Sequence, residues 1–175
     1  MLTGLAPLLG WQTRPLVLVL ALVLGSFAGV ASLRAPQHGR PLQHQLWRLV
    51  FASFQANSGN SPHVNCLNCY QIRTDSLLAQ VVGLWDVYAC CERQGSLDGA
   101  IARAELNALA ALCQRCPTWR AIAPSAGESL QPARCTQALG LPVYRLSSSS
   151  PVKASWSFER NLAARRDVFQ QYGLV

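Results

Sequence analysis

Two stretches of this chain alternate apolar and polar residues with a helical period, and cysteines bracket both. Leu77, Leu78, Val81, Val82, Leu84, Trp85 and Tyr88 make Thr74–Arg93, read as a helix, apolar around most of its circumference. Leu97, Ile101, Ala104, Ala108, Leu109 and Leu112 recur at three- and four-residue steps through Ser96–Arg115. Gly95 fits the left-handed position that ends a helix, Ser96 offers a cap for the next, and Pro117 stops it. Each segment, about twenty residues, would run about 30 Å. Folded back on each other, they bring Cys66 and Cys69 beside Cys113 and Cys116.

The rest of the pattern is weaker. Leu42–Ala56 places Leu46, Trp47, Leu49, Val50 and Phe54 at helical spacing, and Ser157–Tyr172 does the same through Phe158, Leu162, Phe169 and Tyr172. Asn57–Pro62 reads as a loop, Leu139–Leu146 as a short strand without an evident partner, and Ser147–Ser150 as a flexible linker. Ser125 and Glu128 have the spacing of a capping box. The expected organisation is an N-terminal segment (1–33), a helical domain (34–122), a Pro/Ser-rich linker (123–156) and a C-terminal amphipathic helix (157–175). The expected fold class is mainly α, a small domain built on the cysteine-bracketed antiparallel helical hairpin.

Pro15–Leu33 is a continuous apolar run of nineteen residues, about 28 Å as a helix. It reads as a signal peptide or as a transmembrane anchor. Its Leu-dense first half and small-residue second half favour cleavage near Ala28–Ser32. Arg34 and Arg40 outnumber Arg14 across the run, so an uncleaved span would keep its C-terminal side in the cytoplasm.

Charge changes the picture little. The net charge of +7 comes from fourteen Arg and one Lys against eight acids, and no acid precedes Asp75. Basicity therefore belongs to the N-terminal part, and nucleic acid is not the expected partner. With 13% charged and 50% apolar residues, wholesale disorder is excluded.

The candidate chemistry lies in the seven cysteines. In an oxidising compartment the hairpin suggests Cys66 with Cys116, Cys69 with Cys113, and Cys90 or Cys91 with Cys135, leaving one unpaired. In a reducing compartment Cys66, Cys69, Cys113 and Cys116 have the pair spacing of a structural zinc site, with His63 as a substitute ligand. The N-terminus favours disulfides, so no cofactor is expected beyond zinc in the reducing case. Haem attachment is excluded because Tyr70 and Pro117, not His, follow the CxxC pairs. No phosphate loop, HExxH or GxSxG occurs, and no catalytic residue is assigned. These patterns point to an exported, non-enzymatic binding or structural protein with a protein partner, secreted or otherwise extracytoplasmic. The alternatives are a membrane-tethered accessory subunit of an organelle complex, associated with the bilayer through 15–33, and, more remotely, a thiol-disulfide oxidoreductase.

Overall fold

The computed structural model describes residues 1–5, 21–38, 45–54, 69–95, 97–116, 118–124, 139–149 and 156–175; at 21–24, 112, 113 and 115 it describes backbone alone. The capping-box residues Ser125 and Glu128, the loop Asn57–Pro62, His63, Cys66 and Cys135 lie outside the described residues.

The expected hairpin is not two helices. Its first half divides into helix α3 (Tyr70–Ala79) and strands β3 (Val82–Asp86) and β4 (Tyr88–Glu92). Its second half is a short 3-10 turn at Asp98–Ala100, strand β5 (Ala102–Leu106) and helix α4 (Leu109–Arg115). The mainly helical fold class is therefore corrected to a mixed one with two sheets. The physical reason is an ambiguity in the pattern. Val82–Tyr88 is an unbroken apolar run apart from Asp86, and such a run fits a strand buried on both faces as well as a helix.

The N-terminal apolar run is corrected in the same way. Strand β2 (Ala21–Gly25) is the middle strand of a parallel sheet ordered β3-β2-β6, with β6 at Ala121–Pro124. Its backbone pairs Ala21–Gly25 with Val82–Asp86 on one side and Ala21–Leu24 with Ala121–Pro124 on the other. A segment hydrogen-bonded along both edges inside a sheet is neither a cleaved leader nor a membrane anchor. Helix α1 (Val30–Arg34) follows at once. Among the described residues no helix is long and apolar enough to cross a membrane.

Beyond β6 the sheet continues as extended chain. Val143 bridges Ile122 in parallel, and the Leu146 amide donates to the Pro124 carbonyl at 2.8 Å. Helices α2 (Leu46–Phe54) and α5 (Phe158–Gln171) sit within the two spans that showed helical period. They pack together with α3 on one face of the sheet, where Trp47, Val50, Phe51, Phe54, Leu77, Val82, Leu84, Ala123 and Phe169 form the larger core. Phe54 stacks on Phe169 with centroids 5.0 Å apart. The Ser157 hydroxyl accepts from the Arg160 amide and caps α5. On the other face, Val87, Leu109, Cys116, Trp119 and Ile122 form a second cluster under α4.

The second sheet is antiparallel, ordered β1-β4-β5, with β1 at Leu2–Thr3. The chain passes between the sheets at Asp86–Val87, and there the Val87 and Tyr88 amides donate to the Gly25 and Ser26 carbonyls. Asp86 thus stands where the two sheets meet.

Candidate active site

In an open parallel sheet the crevice for ligands lies outside the carboxyl ends of the strands. Here those ends are Gly25, Asp86 and Pro124, with the extended segment through Leu146 delivering Ser147–Ser149 to the same edge. Ser147, Ser148 and Ser149 are buried, so the expected linker is part of the packed structure over these residues. The Asn161 carboxamide donates to the Ser147 and Ser148 carbonyls at 3.4 Å each, and the Gln45 amide donates to the Ser149 carbonyl at 2.9 Å.

At the end of the outer strand β3 stands Asp86, 6% exposed. It lies opposite Gly25 in register, and a Cβ at position 25 would fall 2.5 Å from Asp86 Oδ1. Glycine is required there to let the carboxylate approach the neighbouring strand. The Ala28 amide donates to this carboxylate, whereas Oδ2 has no hydrogen-bond partner. Burial pushes the Asp86 carboxyl up; His38, the Ala28 amide and Arg93 pull against that rise, and Asp98 adds to it. The Asn107 carboxamide donates to the Asp86 carbonyl at 2.8 Å and fixes the strand end from the β5 side.

His38 is buried, and its backbone is held from both sides. Its amide donates to the Tyr70 hydroxyl at 3.1 Å, and its carbonyl accepts from the Trp47 indole at 3.0 Å. Tyr70 and Trp47 meet edge to face, and Arg73 lies over both rings at 5.6 and 5.2 Å. Burial raises the Tyr70 hydroxyl despite the His38 amide and Arg73. From the second sheet, Arg93 lies 5.0 Å from the centroid of the Phe27 ring and donates to the Phe27 and Ala28 carbonyls. Asp98 accepts from the Ser26 hydroxyl at 2.9 Å. The result is a buried carboxylate with one oxygen lacking a hydrogen bond, a guanidinium facing it, and a turn gripped from two sides. Such an arrangement suits proton transfer or stabilisation of developing charge.

The cysteines singled out in the sequence are not assembled here. None of Cys69, Cys90, Cys91 and Cys116 forms a disulfide. Cys69 is exposed immediately before α3, on the side of the larger core, whereas Cys116 is buried in the cluster under α4, across the parallel sheet. Cys113 lies in α4, and its side chain is outside the described residues. Burial pushes the Cys91 thiol up, and the Glu105 side chain does so for Cys90. Among the described residues no group of three or more His, Cys, Asp or Glu is placed to hold a metal.

Sequence reasoning passed over Asp86, His38, Arg93 and Asn107. The available signals were an acid ending an apolar run and the small-residue turn Gly25–Gly29 ending another, the mark of a strand that hands over to a tight turn and a helix.

No protein-family model matches the chain. It is 29% identical over 129 residues to a hypoxanthine DNA glycosylase of Methanosarcina barkeri, which covers 74% of this chain and 77% of that protein. It is 27% identical over 139 residues to a hypoxanthine DNA glycosylase of Methanosarcina acetivorans, covering 79% and 84% respectively. The fold matches the solution NMR structure of a candidate uracil DNA glycosylase from Methanosarcina acetivorans, with a TM-score of 0.74, 23% identity, and coverage of 95% of this chain and 97% of that one.

These similarities correct the functional expectations drawn from the sequence. Both curated relatives carry the name of an enzyme that acts on DNA. That overturns the non-enzymatic exported protein, the membrane-tethered subunit, the thiol oxidoreductase, the exclusion of nucleic acid and the secreted location. The basic, acid-free part before Asp75 reads in sequence as an N-terminal flank, whereas β2, α1 and α2 show that it belongs to the fold.

Proposed function

We propose that this protein is a DNA glycosylase that hydrolyses the N-glycosidic bond of a deaminated purine nucleotide, releasing hypoxanthine. The observation that carries the reading is its similarity, over about three quarters of its length, to two curated hypoxanthine DNA glycosylases. The arrangement at the sheet edge supplies what the chemistry needs. A base inside a duplex is out of reach, so the target nucleotide is turned out of the stack into the crevice. The +7 charge of the chain favours association with the phosphate backbone.

In the hydrolysis, water adds to C1′ of the deoxyribose as the bond from C1′ to N9 breaks. The bonding pair leaves with the base. Asp86 Oδ2, the unpartnered oxygen, accepts the proton of the attacking water. Its negative charge also stabilises the positive charge that grows on the sugar. Arg93, the guanidinium acting on Asp86, favours the charged carboxylate that this step needs. The purine anion takes up a proton from solvent and Asp86 gives its own back, leaving free hypoxanthine and an abasic sugar.

The test uses 5′-labelled duplexes that differ at one position, carrying deoxyinosine, deoxyuridine or deoxyadenosine. Strand scission in alkali after incubation with the protein reports an abasic site. Scission at deoxyinosine with free hypoxanthine in the supernatant supports the proposal. Intact strands throughout would refute it, and scission only at deoxyuridine would reassign the base.

A further inference from the structure

The turn that joins β2 to α1 is held from outside its own sheet, and the hold runs through one residue. Arg93 follows β4 directly and donates from Nη1 to the Phe27 carbonyl at 3.4 Å and from Nη2 to the Ala28 carbonyl. Its guanidinium plane covers the Phe27 ring, itself 6% exposed. Asp98, five residues on, takes the Ser26 hydroxyl. Three successive residues of the turn are thus fixed by one hairpin of the antiparallel sheet. The middle of that grip matters most, because the Ala28 amide is the group that donates to Asp86.

Resting on the glycosidase reading above, we infer that Arg93 is a positioning residue for the hydrolysis. It clamps the Phe27 and Ala28 carbonyls so that the turn presents its amide to Asp86, and it sets its own charge toward that carboxylate. The groups that face Asp86 are the His38 imidazole, the Arg93 guanidinium, the Asp98 carboxyl and the Ala28 amide. Removing the Arg93 guanidinium leaves the carboxylate with less to offset its burial, so it ionises at a higher pH. Lysine keeps the charge but has no planar fork with which to hold two carbonyls at once. The two roles of Arg93, clamp and charge, are therefore separable by substitution.

The experiment compares wild-type protein with Arg93→Lys and Arg93→Met. Single-turnover base release and duplex affinity are measured on a deoxyinosine duplex, and the Asp86 carboxyl is titrated by carbon-13 NMR, assigned with Asp86→Asn. For Arg93→Met the release rate should fall about 10- to 100-fold, the cost of a small misplacement of a reacting group. Duplex affinity should hold, while the acid limb of the rate profile and the Asp86 titration both move to higher pH. Arg93→Lys should leave the Asp86 titration near its wild-type position and still lose rate. Should Arg93→Met not fold, the lysine variant alone decides the clamp. An unmoved Asp86 titration in Arg93→Met, a full rate in Arg93→Lys, or a loss confined to duplex affinity would overturn the inference. If wild-type protein releases no base, the glycosylase reading fails by itself, and the NMR titration still decides whether Arg93 governs Asp86.

Discussion

Gly25 and Asp86 face each other at the last register position of two parallel strands, and the Asp86 carboxylate occupies the space that any side chain at position 25 would need. A residue with ordinary strand propensity has been given up so that a carboxylate can sit against a neighbouring backbone. Gly25→Ala should therefore separate activity from stability. The added methyl drives Oδ1 aside, so base release should fall about 10- to 100-fold. The helices and core lie elsewhere, so the melting temperature should change by only a few degrees. Unimpaired release by Gly25→Ala would show that the carboxylate does not need this approach.

Asp86 itself should weaken the fold. Its carboxyl is raised by burial above its unfolded value, so the folded state binds that proton more tightly than the unfolded chain does. The sign follows: its contribution to stability is complete below the unfolded pKa and is lost as pH rises through the raised folded pKa. Asp86→Asn should match wild type in acid and become the more stable protein toward neutral pH. Thermal melts across that range check this, and a wild-type advantage at neutral pH would contradict it.

A second buried charge lies in α5. Arg165 is fully buried, Nε, Nη1 and Nη2 lack partners, and burial lowers its guanidinium to about 10. The native state thus holds this proton less tightly than the unfolded chain, and the penalty is complete at any pH below about 10. Arg165→Met keeps most of the volume and removes the unpaired charge. It should raise stability by ~1–3 kcal/mol at neutral pH, read from denaturant midpoints. Destabilisation by Arg165→Met would mean that the guanidinium has a partner in solution.

The described thiols should differ sharply in reactivity. Cys69 is exposed, whereas Cys91 and Cys116 are 0% and 1% exposed. Under native conditions an alkylating reagent should mark Cys69 while leaving Cys91 and Cys116 until denaturant is added. Peptide mapping by mass spectrometry reads this directly, and early marking of Cys116 would contradict the packing under α4.

Two helices were legible in the sequence and the sheets were not. In α2, Trp47, Val50, Phe51 and Phe54 face a single core, and in α5 Val168 and Phe169 join it, so a one-sided apolar stripe reports its period faithfully. In β3, Val82, Gly83 and Leu84 are buried and Trp85 turns to the opposite cluster, so neither face is polar and no alternation marks a strand. The apolar run Pro15–Leu33, which contains β2, misled in the same way, because an interior strand has the composition of a leader. The cysteine spacing drew attention to thiols that the fold sets on opposite sides of a sheet. The site was obscured for another reason. His38 is far from Asp86 along the chain, Arg93 lies just past β4, and only the pairing of β2 with β3 and the β4 hairpin turn them toward one carboxylate.

The account rests on Asp86 as the group that takes a proton from water while the glycosidic bond breaks. The most direct measurement is single-turnover release of hypoxanthine from one deoxyinosine duplex at neutral pH, by wild-type protein and by Asp86→Asn, with duplex binding followed on the same samples. Wild-type protein should release the base, and Asp86→Asn should bind the duplex as well but release base at least about 100-fold more slowly. Release by Asp86→Asn at the wild-type rate, or no release by either protein, would contradict the account.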